Sequence, residues 1–337
     1  MDAPPMTVDA EPHARLTTED ELAGIRLDDL LERSFPSVQR AVWRRGCANE
    51  TVTINRQRAR PQQRVRLGDL VEVWFDPDAA PQLSTGGRAE PALPVLFEDA
   101  AVLVINKPSG LPTVPDRGGK NLGVWGRLSE LRPDEDLRVA HRLDLGTSGC
   151  LILTKGLEAA RALDLAFRNH EVAKTYLALA CGEPTRAEFE VDRPLGPDRR
   201  RPGRVAVVAR DSKGSREAFT RVAVAERFRG FALLEVFPRT GRSHQIRVHL
   251  AHRGHSIVGD PEYGDRRELL LSDVKRGYKA RRGARERPLL RRPFLHAAAV
   301  EFTSPHDGAR VRAECPLPAE LELVLDKLRR FAPARRS

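Results

Sequence analysis

Residues 138–156, RVAHRLDLGTSGCLILTKG, say more about the fold than any other stretch of the sequence. A polar turn, HRLDLGTSG, precedes the apolar run CLILT, and an apolar run between turn signals is typical of a buried strand. Asp144 would then lie in a loop at the end of a strand, where a rigid scaffold often holds functional side chains. It could equally cap backbone groups of Thr147 or Ser148 in a turn, and the residues alone leave both roles open.

Similar runs recur on both sides of this stretch and predict a large α+β domain over residues 95–327. Many of them are apolar or alternating and stop at Gly or Pro, as strands do: VLFED, AVLVINKPSG, AKTYLALACG, FALLEVFPRTG and AVEFTSP. Helical stretches such as LEAARALDLAFRNHE occur between some of them.

Composition marks the remaining boundaries. Residues 1–20 carry Pro, Asp, Glu and Ala with little apolar periodicity, which predicts a disordered lead-in. Repeated Pro and Gly with Ser, Thr and Gln predict a linker over 76–94. A highly charged insertion at 264–292 and a basic tail at 328–337 are expected to be solvated and irregular.

Residues 22–75 predict a separate small α/β module with a basic surface. Two short segments with helical spacing precede the alternating strands TVTIN and LVEVW. Between Arg40 and Arg66 the only acid is Glu50, and eight arginines occur, at positions 40, 44, 45, 56, 58, 60, 64 and 66. Such a cluster repels itself unless a polyanion relieves it, and arginine suits phosphates and unpaired bases. No apolar amphipathic face accompanies the charge, so RNA is favoured over a membrane, with a merely solubilising face as the alternative.

The whole chain is basic, with 57 Lys and Arg against 47 Asp and Glu and a pI of about 9.9. This favours a polyanionic partner, although Arg-rich composition can also reflect genomic base composition. The four cysteines are widely spaced and form no C-x-x-C pair, which favours a reducing compartment. The N-terminus does not look like a secretory signal and there is no run of 18 apolar residues, so we expect a cytoplasmic protein without a membrane association.

Five segments resemble the RluA-type pseudouridine synthase family, in the family's order. His141 to Asp144 followed by Thr-Ser-Gly resembles its catalytic motif, with Leu145-Gly146 where the family usually has a polar pair. The others are VINKPSGLP (104–112), AKTYLALACGEP (173–184), PRTGRSHQIRVHLAHRGHSIVGDPEYG (238–264) and FLHAAAVEF (294–302).

The resemblance spans about 95 to 320, and the first module in turn resembles an S4 RNA-binding domain. One turn departs from that pattern, because Ile54-Asn55-Arg56 stands where Val-Asn-Gly is usual. Together the two resemblances imply an α+β fold, with a small S4-like α/β module followed by a large mixed, mainly antiparallel sheet with flanking helices.

The resemblance also implies the reaction. Such an enzyme breaks the N1–C1′ bond of uridine in structured RNA, rotates the base and rejoins it through C5, without a metal or cofactor. Asp144 would be the catalytic carboxylate, either as a nucleophile or as a base that removes a ribose proton, and the sequence leaves both routes open. Arg247 would pair with it, with Arg242 as the less favoured candidate, and Tyr176 would stack on the target base.

RNA contacts are expected in both parts of the chain. Arg142 would insert toward the RNA stack, and further contacts are assigned to Arg40, Arg44, Arg45, Arg56, Arg58, Arg242 and His244. His141, His244 and His249 do not have the spacing of a zinc site. An S4 module joined to this catalytic domain favours large-subunit ribosomal RNA, with transfer RNA as the second candidate, and we expect a monomer.

Two rival functions differ in class. A non-catalytic RNA-binding or ribosome-assembly protein would have no need of Asp144, Tyr176 and Arg247 together, yet all three are present. A nucleotide hydrolase would need a second acid near Asp144 or a phosphate-binding glycine loop, and the acids at 134–136 look like a solvated turn.

Overall fold

The computed structural model describes residues 12–35, 38, 43, 46–47, 51–74, 93–115, 121–278 and 286–334. Most of the predicted linker, most of the second helix of the first module, and Arg40, Arg44 and Arg45 lie outside these residues. The chain divides into two compact units, the first reaching Pro91 and including Pro115–Asn121, the second formed by Ala92–Val114 and Leu122–Ser337.

The first unit is an antiparallel four-stranded sheet in the order β1-β4-β2-β3. Its elements are β1 (Ala14–Thr17), a 3-10 turn (Asp20–Leu22), α1 (Leu27–Ser34), β2 (Val52–Ile54), β3 (Gln57–Arg58) and β4 (Leu70–Val73). The predicted disordered lead-in over 1–20 is therefore wrong for Ala14 to Thr17. Ala14 and Leu16 alternate with exposed residues and pack on the core of this unit, and pairing with β4 satisfies the strand's backbone.

The turn between β2 and β3 is a tight hairpin despite its unusual sequence. Asn55 and Arg56 both have positive φ, 52° and 60°, as a two-residue type I′ turn requires. The amide of Asn55 fixes the turn, because its Oδ1 accepts from the Leu70 N–H and its Nδ2 donates to Asp69, both at 2.9 Å. Arg56 thus holds a left-handed conformation that costs a non-glycine residue roughly 1 kcal/mol.

The second unit is built on one large, mainly antiparallel sheet. Its described strands are β5 (Val95–Glu98), β6 (Val102–Lys107), β7 (Leu137–Val139), β8 (Ser148–Lys155), β9 (Ala173–Cys181), β10 (Glu188–Asp192), β11 (Leu195–Pro197), β12 (Val205–Val207), β13 (Phe219–Phe228), β14 (Phe231–Pro238), β15 (Leu295–Thr303) and β16 (Arg310–Glu314). The sheet runs β10-β13-β14-β9-β15-β8-β6-β5, with β16 on β15 and β7 on β8, while β11 and β12 form a separate hairpin. Among these described pairs only β15 and β8 are parallel.

Helices cover this sheet through apolar positions at helical spacing. They are α2 (Gly123–Leu131), α3 (Gly156–Arg168), α4 (Gln245–His252), α5 (Leu271–Val274) and α6 (Ala319–Phe331). In α3, Ala159 and Leu163 lie four residues apart and are buried against the sheet. These features confirm the predicted α+β, mainly antiparallel fold class. Among the described helices none is long and apolar enough to cross a bilayer.

Two predicted irregular segments contain ordered structure instead. The basic tail was placed at 328–337, but α6 continues to Phe331 and Leu328 is fully buried, because the apolar spacing of the helix runs past that boundary. The charged insertion at 264–292 includes α5, and Leu269 and Leu290 pair through an isolated antiparallel bridge and are both buried in one apolar cluster. In both places buried leucines between charged residues provide the anchoring.

Candidate active site

A cleft of about 1090 Å³ opens in the second unit around the turn that follows β7. The turn, the end of α3, strand β9 and the loop before α4 line it. Six residues that the sequence predicted for the site line this cleft: Arg142, Asp144, Tyr176, Arg242, His244 and Arg247. Lys174, which was not predicted, lines it as well. The fold therefore gathers side chains that are separated by up to a hundred residues in sequence.

The segment 104–112 and the residue after it hold one side of the Asp144 turn. Thr113 Oγ1 donates to the Leu143 carbonyl at 3.0 Å and accepts from the Leu143 N–H at 3.1 Å. The Gly110 N–H donates to the Leu145 carbonyl at 2.8 Å. Because bonds to the residues on both sides of Asp144 fix the backbone, the carboxylate is presented from a rigid turn.

Lys107 braces this segment from within. Its side chain is fully buried, and Nζ donates to the carbonyls of Pro108 and Leu111 at 3.0 and 2.8 Å. Burial lowers the pKa of Lys107 to about 8, and the nearby Asp144 charge opposes that shift. Lys107 thus closes the 104–112 segment on itself and adds positive charge beneath the cleft.

The segment 294–302 and its flank hold the other side of the turn. Arg292 Nη1 donates to the Gly146 carbonyl at 3.2 Å, and Ser148 is joined to the His296 ring at 2.9 Å. Gly149, with φ of 114°, lies where β8 and β15 run side by side, and a Cβ there would stand 2.2 Å from the Ala297 carbonyl oxygen. The glycine of the Thr-Ser-Gly motif is therefore required by close backbone packing.

Asp144 forms an ion pair with Arg247. Arg247 Nη1 lies 3.1 Å from Asp144 Oδ2, and the Arg247 side chain is only 8% exposed against 31% for Asp144. Arg242, the other candidate, instead donates from Nε to the Glu217 carbonyl at 2.9 Å. A buried, immobile guanidinium therefore faces an accessible carboxylate, which is aimed into the cleft.

Two acids hold Arg247 from behind. Asp260, whose side chain is fully buried, accepts from Nε at 2.7 Å and from Nη2 at 2.8 Å, a bidentate pair, and Glu262 accepts from Nη2 at 3.1 Å. Burial by itself disfavours the charge of Arg247, but Asp260 and then Asp144 outweigh burial and raise its pKa. Burial likewise opposes the charge of Asp260, and the bonds from Arg247 nevertheless lower its pKa.

His244 stands at the start of α4 in a left-handed conformation, with φ of 56°. Its Nδ1 lies 2.9 Å from the Tyr263 hydroxyl, and its Nε2 lies 3.9 Å from Asp144 Oδ1. The Tyr263 ring also packs under the Arg247 guanidinium, 5.0 Å from its carbon atom Cζ to the ring centroid. His244 is thus held at the edge of the carboxylate, facing the cleft.

Tyr176 projects from β9 into the same cleft and is 9% exposed. Burial, and next the charge of Asp144, raise the pKa of its hydroxyl, so the phenol is neutral at physiological pH. A flat aromatic ring that lines an accessible cleft suits stacking on a base.

The remaining predicted RNA contacts divide between the two units. Arg142 is exposed at the cleft, beside Asp144. Arg56 and Arg58 are exposed on the β2–β3 hairpin of the first unit.

The other two histidines have structural environments. His141 Nε2 accepts from the Ile152 N–H at 3.2 Å, and burial, with Lys174 nearby, lowers the pKa of His141 to about 3. His249 is buried between Thr220 and the Arg193 carbonyl, and burial lowers its pKa. Within the described ranges, no cluster of His, Cys, Asp or Glu has the arrangement of a metal site.

Sequence reasoning missed four residues of this site: Lys174, Asp260, Glu262 and Tyr263. All four stand inside segments already quoted, Lys174 in AKTY and the others in GDPEYG. Their local sequence carries no signal for these positions, because only the tertiary structure shows that the GDPEYG turn packs behind Arg247.

Comparisons with known proteins agree with this geometry. The sequence profile of a family described as RNA pseudouridylate synthase matches residues 101–252. The chain is 35% identical over 327 residues to ribosomal large subunit pseudouridine synthase C of Escherichia coli K12, covering 93% of this chain and 95% of that protein. It is 33% identical over 318 residues to the protein of the same name from Vibrio vulnificus, covering 92% and 95%.

Solved structures show the same fold. Human RNA pseudouridylate synthase domain containing 4 superposes with a TM-score of 0.54 at 26% identity, over 70% of this chain and 93% of that one. Human RNA pseudouridylate synthase domain containing 1 has a TM-score of 0.50 at 22% identity, over 73% and 100%, a likeness of fold alone. Identity above 30% over nine-tenths of the chain is decisive for descent, and this protein belongs to the RluA-type RNA pseudouridine synthases, isomerases that convert uridine to pseudouridine in RNA.

Proposed function

We propose that this enzyme isomerises a uridine of large-subunit ribosomal RNA, with Asp144 as its catalytic carboxylate. The relatives that match nearly end to end are named for that RNA. The observation that carries the role of Asp144 is its pairing at 3.1 Å with a buried arginine, which two further acids hold in place, at the mouth of a cleft.

The chemistry requires a group beside the ribose and a pocket that retains the detached base. In one route Asp144 attacks C1′ and the N1–C1′ electrons pass to the uracil. In the other it removes a ribose proton, a glycal forms as the uracil leaves, and Asp144 returns that proton to the ribose when C5 bonds to C1′. In either case the uracil turns, C5 bonds to C1′, Asp144 is regenerated, the C5 proton is lost and N1 gains a proton, so the product is an isomer of the substrate.

Arg247 and Tyr176 have complementary roles in this proposal. The bidentate bond to Asp260 fixes the guanidinium, so that Arg247 orients the carboxylate without reorganising during the reaction. The Tyr176 ring stacks on the flipped uracil, and its neutral hydroxyl is available to assist proton transfer at C5. Arg142, Arg242 and His244 contact the RNA around the displaced nucleotide.

The first unit, with its S4-like sequence, captures structured RNA through phosphate contacts. Arg56 and Arg58 are exposed on its hairpin, and sequence adds Arg40, Arg44 and Arg45 to the same basic group. Such contacts are insensitive to base identity, so the cleft and the RNA shape select the uridine. We further propose that the enzyme acts as a cytoplasmic monomer.

Two measurements test the proposal. Pseudouridine mapping of ribosomal and transfer RNA, from cells with and without the gene, should show a missing site in large-subunit ribosomal RNA. Asp144→Asn should abolish isomerisation in vitro while RNA affinity stays within a few-fold, because the amide keeps the shape but is neither a base nor a useful nucleophile. Turnover by that variant at a tenth of the parent rate, with deamidation excluded, would contradict the assignment. A non-catalytic assembly protein would leave the pseudouridine map unchanged.

A further inference from the structure

Lys174 lines the cleft, and the mechanism above does not use it. It precedes Tyr176 by two positions on β9, so both side chains leave the same face of the strand, about 7 Å apart along it. Its Nζ lies 5.6 Å from the centroid of the Phe167 ring, and it would be 3.9 Å from a Cβ placed on Gly241. The ammonium group therefore lies between the end of α3 and the loop before α4, inside the cleft.

The surroundings of Lys174 provide no counter-charge. Among the described residues, Lys174 has neither a hydrogen bond nor an ion pair with another side chain. Its ammonium group makes a cation–π contact with the ring of Phe167. Asp164, which also lines the cleft, is paired with Arg168 at 2.5 Å, and Asp144 is paired with Arg247.

Such a cation is unfavourable in the free enzyme. Burial lowers the pKa of Lys174 to about 8, and no carboxylate opposes that shift. A cation over an aromatic face recovers only part of the cost of removing it from water. A mostly buried cation without an anion in a cleft that receives a polyanion indicates that the ligand supplies the missing charge.

We propose that Lys174 binds a phosphodiester oxygen of the RNA strand beside the target uridine, while Tyr176 contacts the base. The proposal rests on the proposed function, in that the cleft must take up a flipped nucleotide. The offset of about 7 Å along β9 lets the two side chains contact different parts of one nucleotide. Lys174 thus fixes the backbone of the displaced nucleotide, and a carbonyl oxygen of uracil is the competing acceptor.

The test measures RNA affinity in an Asp144→Asn background, so that turnover does not affect the result. The probe is the ribosomal or transfer RNA fragment that contains the uridine found by mapping. We compare Lys174→Met, Lys174→Arg and, as the matched control outside the cleft, Lys327→Met on α6. Lys174→Met should weaken binding roughly tenfold to a hundredfold and reduce the slope of log K against log salt by about 0.7–0.9. The arginine variant should keep the salt slope, and the control should match the parent.

A chemically altered RNA identifies the acceptor. Replacing single phosphates near the target uridine with uncharged methylphosphonates should, at one position, weaken binding to the parent but cause no additional loss with Lys174→Met. Additive losses at every position, or a parental salt slope in Lys174→Met, would overturn the proposal. A lower melting temperature of Lys174→Met without RNA would indicate a structural role and would overturn it as well. If the purified parent enzyme forms no pseudouridine in the mapped fragment, the proposed function fails, while the affinity comparisons on that same fragment remain interpretable.

Discussion

The ion cluster of Arg247, Asp260 and Glu262 behind Asp144 predicts that stability and activity can be separated. Arg247→Met would leave Asp260, which is fully buried, with only the backbone N–H groups of Glu262 and Tyr263, at 2.9 and 3.1 Å. Removing one partner of a buried ion pair costs about 3–5 kcal/mol, because the remaining charge is uncompensated. The free energy of unfolding of the second unit should fall by that amount near pH 7.

A second substitution should restore stability but not activity. Asp260→Asn in the Arg247→Met background removes the buried charge and can still accept both backbone N–H bonds, so most of the lost stability should return. Pseudouridine formation should stay low in both variants, because Asp144 has no arginine partner in either of them. Urea unfolding and nucleoside chromatography of treated RNA measure the two properties.

The pH dependence of the free energy of unfolding tests whether the buried charge of Asp260 causes the loss of stability in Arg247→Met. In the parent, Arg247 lowers the pKa of Asp260, so this carboxylate contributes stability above its unfolded pKa of about 3.8 and the contribution is lost as pH falls through the folded value. In Arg247→Met, burial is no longer outweighed and the Asp260 pKa should rise above 3.8. The stability deficit should therefore shrink as the pH falls from 7 toward 5. A loss below about 1 kcal/mol, a double variant no more stable than Arg247→Met, or a deficit that grows on acidification would refute this reasoning.

Three further predictions concern other parts of the molecule. Deleting residues 1–80 should raise the RNA concentration needed for saturation and flatten the salt dependence of binding, while turnover at saturation changes far less. Steady-state kinetics at several salt concentrations measure both quantities, and they would show the opposite pattern if the first unit organised the active site. Arg56→Gly should stabilise the first unit by up to about 1 kcal/mol, because glycine adopts the positive φ without strain. Thermal unfolding measures this change, and destabilisation would mean that the arginine side chain contributes to the fold. Lys174→Met should stabilise the RNA-free enzyme by as much as roughly 3 kcal/mol at pH 7, the equivalent of a pKa lowered from 10.5 to about 8. Urea titrations should show this advantage shrinking between about pH 8 and 10.5. In that range the parent gains stability with rising pH, because its unfolded chain still binds the proton that the folded chain has lost.

Much of the architecture could be predicted from local sequence. Apolar runs stopped by Gly or Pro predicted the strands of the second unit, because alternation and turn residues act over a few positions. Six of the residues that line the cleft were predicted from the motif segments, and the structure places all of them around one cavity: Arg142, Asp144, Tyr176, Arg242, His244 and Arg247. The boundaries were less accurate: Ala14–Thr17 is a strand only because β4 pairs with it.

Only the tertiary structure decided which charges meet. Arg242 and Arg247 are five residues apart in one motif, and the sequence offered both as partners of Asp144. The start of α4 turns Arg242 toward the Glu217 carbonyl and places Arg247 against Asp260. Lys174 is in sequence an ordinary strand lysine, and only the folded structure, with α3 and the loop before α4 on either side of it, shows that it has no counter-ion among the described residues. Strand and turn preferences are fixed by neighbouring residues, whereas ion pairing depends on distances of a few ångströms between segments that are remote in sequence. The sequence by itself therefore determined most of the elements and the motif residues, and only the tertiary structure decided which charged groups pair.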